Sequence, residues 1–402
     1  MKINKWTLGL AALGLVSLTS TVRADEVKQV PVMTALSATT ISGYVDTSME
    51  WNPGTGNANP APYAFNAGKQ DGFNVDAIDI KLQKALEEGQ WSAGYVAELN
   101  YGPDAIAIDG GAAPIRQAYV ELRAPVGNGL DFQIGRFDNL LGYESSDSYK
   151  NPNFTRSWGY TLEPTEHTGI LASYKVNDMA NLQVGVANMV TTGTGTGGIN
   201  ARNTSGIGGS TIESKKAVIS LVTLTAPDSF GPLKGSSLYV GCDYGPGSTG
   251  TATSYGNNRT HLYVGTTLNT PIKDLTFGAA YDSVWNTDIV LPGGFDADLG
   301  YAWTVAGYST YKFSDKASFS ARGEYGFLSG AFLSGIPGAP SDFKVIALTG
   351  TFEYDLWANV ISRLEVRWDH STDGFSTFGG TIAGAPDKKN EVMLAANVIY
   401  KF

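Results

Sequence analysis

Cysteine is nearly absent from this chain. Cys242 is the only one in 402 residues, so no internal disulfide can hold the fold. Histidine is scarce as well: His167, His261 and His370 are the full set, and no two of them stand at a ligand spacing, which leaves a transition-metal site without support. A basic excess is missing. Lys and Arg number 28 against 38 Asp and Glu, and the formal charge of −10 argues against nucleic acid as a partner. After residue 24 no segment approaches the ~20 apolar residues that a membrane helix needs. The mean hydropathy of −0.10 hides no such run. A chain without these helices can still cross a bilayer as a closed barrel, because closure pairs every backbone group.

Glycine and aromatics are plentiful, at 49 residues and 11% respectively. Such a composition suits many turns and rings of interfacial side chains. The last segment is the clearest strand. Val392, Leu394, Ala396, Val398, Tyr400 and Phe402 fall on one face at period two, and that face ends in two aromatics. The other end has the marks of a secretory leader: Lys2 and Lys5, then the apolar run Trp6–Leu18, then Val22-Arg23-Ala24. Cleavage is expected after Ala24, with 25–38 a short periplasmic extension and 39–402 one barrel domain.

Alternating segments of about ten residues recur along the whole chain. Sixteen are expected, at 39–51, 73–86, 90–101, 114–123, 130–138, 166–176, 181–192, 215–225, 236–244, 258–268, 273–285, 301–313, 316–328, 343–354, 358–370 and 391–402. Short and long connections alternate between them. Gaps after even-numbered strands are short, and those after odd-numbered strands have twelve residues or more. A soluble sandwich has no reason to alternate this way. An outer-membrane, all-β, transmembrane antiparallel β-barrel does, with short periplasmic turns and long external loops.

Parity separates two faces. Leu364, Val366 and Trp368 alternate with Arg363, Glu365 and Arg367, and Ala317, Phe319 and Ala321 alternate with Ser318, Ser320 and Arg322. The apolar set is expected to face lipid and the polar set a lumen. Aromatics gather near the ends of the apolar face: Trp51, Tyr101, Tyr244, Trp285, Phe327 and Trp368 at one rim, Trp91, Tyr174, Phe319, Tyr354, Tyr400 and Phe402 at the other. Two segments fit poorly. Residues 215–225 are apolar on both faces, and 130–138 lose their parity at Arg136, the mark of a bulge or a miscount.

The third long connection, 139–165, is the longest and carries aromatic and charged residues rather than plain loop composition. It is expected to fold into the lumen as a constriction, with Glu144, Asp147, Lys150 and Arg156 as its charged residues. Arg322, Arg363 and Arg367 are expected on the lumen wall opposite it. Acids facing arginines across a narrow eyelet would set up a transverse field. A simpler alternative pairs these arginines with Glu324 and Glu365 on their own strands. Enzymatic chemistry finds little footing. The Gly193–Gly198 run does not open a helix after a strand, so it fails as a phosphate loop. Asp71 with Asp76, or Asp296 with Asp298, read as solvated loop charge ahead of a calcium site.

Gly135-Arg136-Phe137, Leu141-Gly142-Tyr143-Glu144, Asn151-Pro152-Asn153-Phe154-Thr155-Arg156-Ser157 and Glu166-His167-Thr168-Gly169-Ile170-Leu171 together resemble the β-barrel porins of the OmpL-like type. Ile41-Ser42-Gly43-Tyr44-Val45-Asp46 and the terminal Phe402 fit the same pattern. The resemblance implies a passive outer-membrane channel for small hydrophilic solutes and ions. Its partners would be outer-membrane lipid and the barrel-assembly machinery, which would read Tyr400 and Phe402 as a signal. It implies no cofactor, no metal and no catalytic residue, and a homotrimer by analogy with general porins. A plugged structural or surface-interaction barrel is the alternative. An outer-membrane hydrolase, which needs a serine and a histidine side by side on the lipid-facing surface, is a third class.

Overall fold

The computed structural model describes residues 38–54, 58–61, 71–88, 91–104, 115–190, 198–200, 215–247, 258–287, 289–291, 295–297, 300–330, 332 and 342–402. The expected leader 1–24 and residues 25–37 lie outside this set, as does most of the Thr191–Ser210 stretch. Among the described residues, sixteen antiparallel strands close into one ring. They are β1 (Thr39–Trp51), β2 (Gly72–Lys84), β3 (Ser92–Tyr101), β4 (Ile115–Ala124), β5 (Leu130–Asp138), β6 (Glu166–Asn177), β7 (Ala180–Ala187), β8 (Ala217–Thr225), β9 (Ser237–Pro246), β10 (Asn258–Asn269), β11 (Leu275–Thr287), β12 (Tyr301–Lys312), β13 (Ala317–Leu328), β14 (Phe343–Trp357), β15 (Val360–Ser371) and β16 (Asn390–Lys401). A two-stranded hairpin, Ile289–Leu291 with Phe295–Ala297, sits in the sixth long loop outside the ring.

Each strand pairs with its neighbours in sequence, and β16 pairs back on β1. At this seam Gly43 and Phe402 exchange backbone hydrogen bonds of 3.0 Å in both directions. The ring therefore has no open edge, the condition for strands to cross a bilayer. Tight turns lie on one rim only. The 358–359 turn is the tightest type, made by Asn359 at φ 66°.

The period-two pattern sorts side chains as the sequence predicts. Leu364 and Val366 are exposed on the outside of β15, while Arg363, Glu365 and Arg367 are buried inside. The expected girdle residues stand on the outer surface, and Phe327 stacks on Tyr301 with ring centroids 5.2 Å apart. Cys242 shares the outward row of Leu238, Val240 and Tyr244.

The two ill-fitting segments have physical explanations. In β8 the inward Ile219 and Leu221 do not face water. Ile219 packs with Phe137, Leu171 and Ala187, and Leu221 with Leu141 and Tyr263. In β5 the backbone turns at Gly135 (φ 139°), where a Cβ would fall 2.2 Å from the Ala118 carbonyl oxygen, and both Arg136 and Phe137 beyond it are buried. One expected strand is too long. Residues 181–192 shorten to Ala180–Ala187 because Met189 and Val190 turn into the interior, where Val190 donates to Pro246 O at 2.8 Å.

β4 carries a bulge. Glu98 pairs with Gln117 and Leu99 with Ile115, so Arg116 is the extra residue, and it points inward beside Gln117.

Candidate functional site

The inside of the barrel divides into two levels. Toward the short turns, polar inward side chains such as Gln83, Glu121, Gln133 and Gln183 remain partly open. Toward the long loops the interior is filled, mostly by the third loop, residues 139–165. Its neck is closed by Asn139 donating to Thr165 O at 2.9 Å.

The loop enters along the wall where glycines make room. Leu141 lies where a Cβ on Gly241 would sit, at 2.2 Å, and the Tyr143 hydroxyl is 2.0 Å from the corresponding point on Gly278. Any larger inward residue there would push the loop away. Tyr143 stacks on Tyr308 with centroids 4.1 Å apart.

Beyond Tyr143 the loop docks on β13–β15, where arginine and carboxylate alternate on the inward rows of β13 and β15. The arginines take loop carbonyls and the carboxylates take loop amides. Arg322 donates to Glu144 (2.7 Å), Glu324 (2.6 Å) and Thr155 O (2.7 Å). Arg363 donates to Ser148 O and Asn151 O, both at 2.9 Å, and to Glu353 at 2.7 Å. Arg367 donates to Arg156 O at 2.6 Å and to Asp369 at 2.8 Å. Glu365 accepts from Phe154 N, Thr155 N, the Thr155 hydroxyl and the Thr351 hydroxyl, at 2.6 to 2.9 Å. Trp158 gives its backbone N–H to Glu324 at 2.6 Å and its indole N–H to Asp369 at 2.8 Å. Apart from the partly exposed Glu353, these side chains are removed from water, so their bonds are charge-assisted contacts in a low-dielectric setting.

The tip of the loop reaches the other wall. Ser148 bonds to Asp46 on β1, and Asp147 bonds to Arg116 in the β4 bulge. The Tyr149 and Tyr44 rings meet edge to face at 5.3 Å. Burial alone would raise the Asp147 carboxyl, but Arg116 and Lys150 outweigh it and hold it below the usual carboxylate range. Burial likewise works against the Lys150 ammonium, and Asp147, 2.5 Å away, more than offsets it. Nearer the external rim, Phe154, Trp158 and Leu162 of the loop join Phe343 and Phe378 in an apolar cluster.

The expected loop and wall residues thus meet, but not as two opposed rows. Arg322 touches Glu144 instead of facing it across open space, and the transverse field expected between loop acids and wall arginines is absent here. The reason is electrostatic: a buried arginine needs its counter-charge in contact, and the loop brings one to it. Arg156 is 1% exposed. It staples the loop to itself, donating to Ser145 O, Ser146 O and Phe154 O at 3.0 to 3.1 Å and lying over the Tyr160 ring. Of the four expected loop charges, Lys150 alone keeps an open side chain, at 49%.

Glu365, weighed from the sequence as a partner for the wall arginines, accepts from the loop instead. One residue that matters was not singled out from the sequence. Arg116 was hidden, because only the bulge turns it inward. His167 and His261 are buried inside the barrel, His261 3.0 Å from Asp282. His370 is on the outside, bonded to Asn390 at 2.8 Å.

Residues 38–402 match the family model described as "Putative beta-barrel porin-2, OmpL-like". Among solved structures, the chain is similar to the outer membrane channel DcaP of Acinetobacter baumannii, at 14% identity and TM-score 0.56, covering 90% of this chain and 97% of that one. It is similar to an anion-selective porin from Comamonas acidovorans, at 13% identity and TM-score 0.56, covering 90% and 99%. It is also similar to the trimer form of OmpT of Vibrio cholerae, at 12% identity and TM-score 0.54, covering 90% and 99%. At these identities the likeness is one of fold. No curated protein matches the sequence significantly.

Proposed function

The chain belongs to the beta-barrel porin-2, OmpL-like family and is an outer-membrane porin, and from that premise we propose that it passes small hydrophilic solutes and ions by passive diffusion, with loop 139–165 as its constriction. The observation that carries this reading is the third loop itself, bonded along β13–β15 and touching β1 and β4 inside the ring. Glu144 and Arg156 set the position of the constriction, Asp147 fixes its tip, and Lys150 is the charge that a passing ion meets. Arg322, Arg363 and Arg367 act as the mooring of the loop. No step of this function is chemical.

Export through a leader cleaved after Ala24, and recognition of Tyr400 and Phe402 by the assembly machinery, complete the proposal. Trimer assembly is favoured by analogy with the trimeric form of one structural neighbour. The test is single-channel conductance of the refolded mature chain in a planar bilayer under a salt gradient. Stable openings are expected. Insertion without conductance would defeat the channel reading and favour a plugged barrel. One observation does favour that second reading: the apolar cluster of Phe154, Trp158, Leu162, Phe343 and Phe378 at the loop-side mouth.

A further inference from the structure

The wall that the loop tip reaches holds an acid cluster short of one counter-charge. Asp79 on β2, Glu98 on β3 and Asp147 on the loop each place a carboxylate oxygen within 4.8 Å of the others, and all three are buried. Arg116 lies 2.7 Å from Glu98 and 2.8 Å from Asp138, and bonds Asp147. Lys81 lies 3.1 Å from Glu98 and Lys150 2.5 Å from Asp147. Gln117 donates to Glu98 at 2.7 Å. Tyr44 and Tyr149 border the cluster, and the Lys401 ammonium stands over the Tyr149 ring at 5.6 Å. Arg116, Lys81 and Lys150 thus serve Glu98, Asp138 and Asp147. Asp79 is left over. It is 3% exposed, and its Oδ2 has no hydrogen-bond partner. An unpaired carboxylate removed from water is among the costliest groups a fold can carry.

We propose that Asp79, Glu98 and Asp147 bind a hard divalent cation of the calcium class. Calcium takes carboxylate oxygens at about 2.3–2.6 Å, so the ligands of one ion lie within about 5 Å of each other. That is the span these three oxygens already have. Glu98 Oε1 and both Asp147 oxygens each accept from one cation and keep a lone pair free. The half-exposed Lys150 ammonium can swing away from Asp147 as the ion enters, and water from the turn-side half of the barrel completes the shell. The bound ion would tie the loop tip directly to β2 and β3. This inference does not depend on whether the barrel conducts.

Terbium luminescence tests it. The refolded mature chain in detergent, free of bacterial lipid, is titrated with Tb³⁺, and Tyr149, which lies within electrostatic reach of all three acids, serves as the sensitiser. Saturable emission displaced by Ca²⁺ is expected. Asp79→Asn should weaken Tb³⁺ binding at least about tenfold, because affinity follows the count of charged ligands. Asp131→Asn, whose carboxylate pairs with Arg123 on another part of the wall, should leave it unchanged. Absent emission, or equal affinity in wild type and Asp79→Asn, would overturn the proposal. A second measurement needs no variant: the wild-type melting temperature should be higher in Ca²⁺ than in chelator, and identical values would also overturn it.

Discussion

The two walls that hold the third loop do so by different means. On β13–β15 every inward arginine has an acid on its own or the next strand and a loop carbonyl as well, and Glu365 accepts from Phe154 N, Thr155 N and the Thr155 and Thr351 hydroxyls. On β1–β4 the loop touches with its tip, through Asp147, Ser148 and Tyr149, and Asp79 there keeps an oxygen without a hydrogen-bond partner. The first wall is a mooring along many residues. The second is a point contact with charge to spare. A loop held this way is fixed along its length and adjustable at its end.

Substitutions can break or sharpen that contrast. Arg322→Ala should have the largest effect. It strands Glu144 and Glu324 in a buried setting and should cost about 3–5 kcal/mol, read as thermal unfolding in detergent. Proteolytic nicking within 139–165 should rise with it. Leu364→Arg puts a charge on the lipid side of β15, between Arg363 and Glu365, and should cost about 2–4 kcal/mol of barrel stability. Arginine on that strand would then be tolerated on one face only. Asp147→Asn should cost less, about 1–3 kcal/mol, since Arg116 keeps Glu98 and Asp138. Equal loop release in Arg322→Ala and Asp147→Asn would erase the difference between mooring and point contact.

The pH dependence of the tip follows from the same pairing. The Asp147 carboxyl is held below its unfolded value, so its contribution is present above about pH 4 and is lost only as pH falls through the folded value. Loop release at the tip through loss of this pair should therefore rise as pH falls below about 4, as seen by proteolysis at acid pH. Lys150→Ala should have the smallest effect on stability, below about 1 kcal/mol for a half-open pair. Its reversal potential should nonetheless move toward cations, and an unmoved potential would remove Lys150 from the conducting path.

The barrel was legible in the sequence because a period of two survives in most strands, and because a two-faced strand must put its apolar set in lipid. The alternation of short and long gaps carried the rest. What stayed hidden depends on partners far away in the chain. Ile219 and Leu221 look like a patterning error until Leu141 and Phe137 are seen packed among the same inward side chains. Arg116 looks like an outward residue until a pairing shift against Glu98 and Leu99 turns it inside. The arginines of β13–β15 are buried inside, but parity says nothing about what they touch. Only the path of the loop decides that they bind it rather than face it.

The seam between β1 and β16 sets the order of events during folding. Thr47 and Val398 meet there across 351 residues of chain. A contact so distant in sequence is slow to form, since the ends must find each other before the bond rewards them. Until then β1 and β16 each present a bare row of N–H and C=O groups that any neighbouring chain could pair with. Closure of the seam is the step at which both bare edges disappear at once.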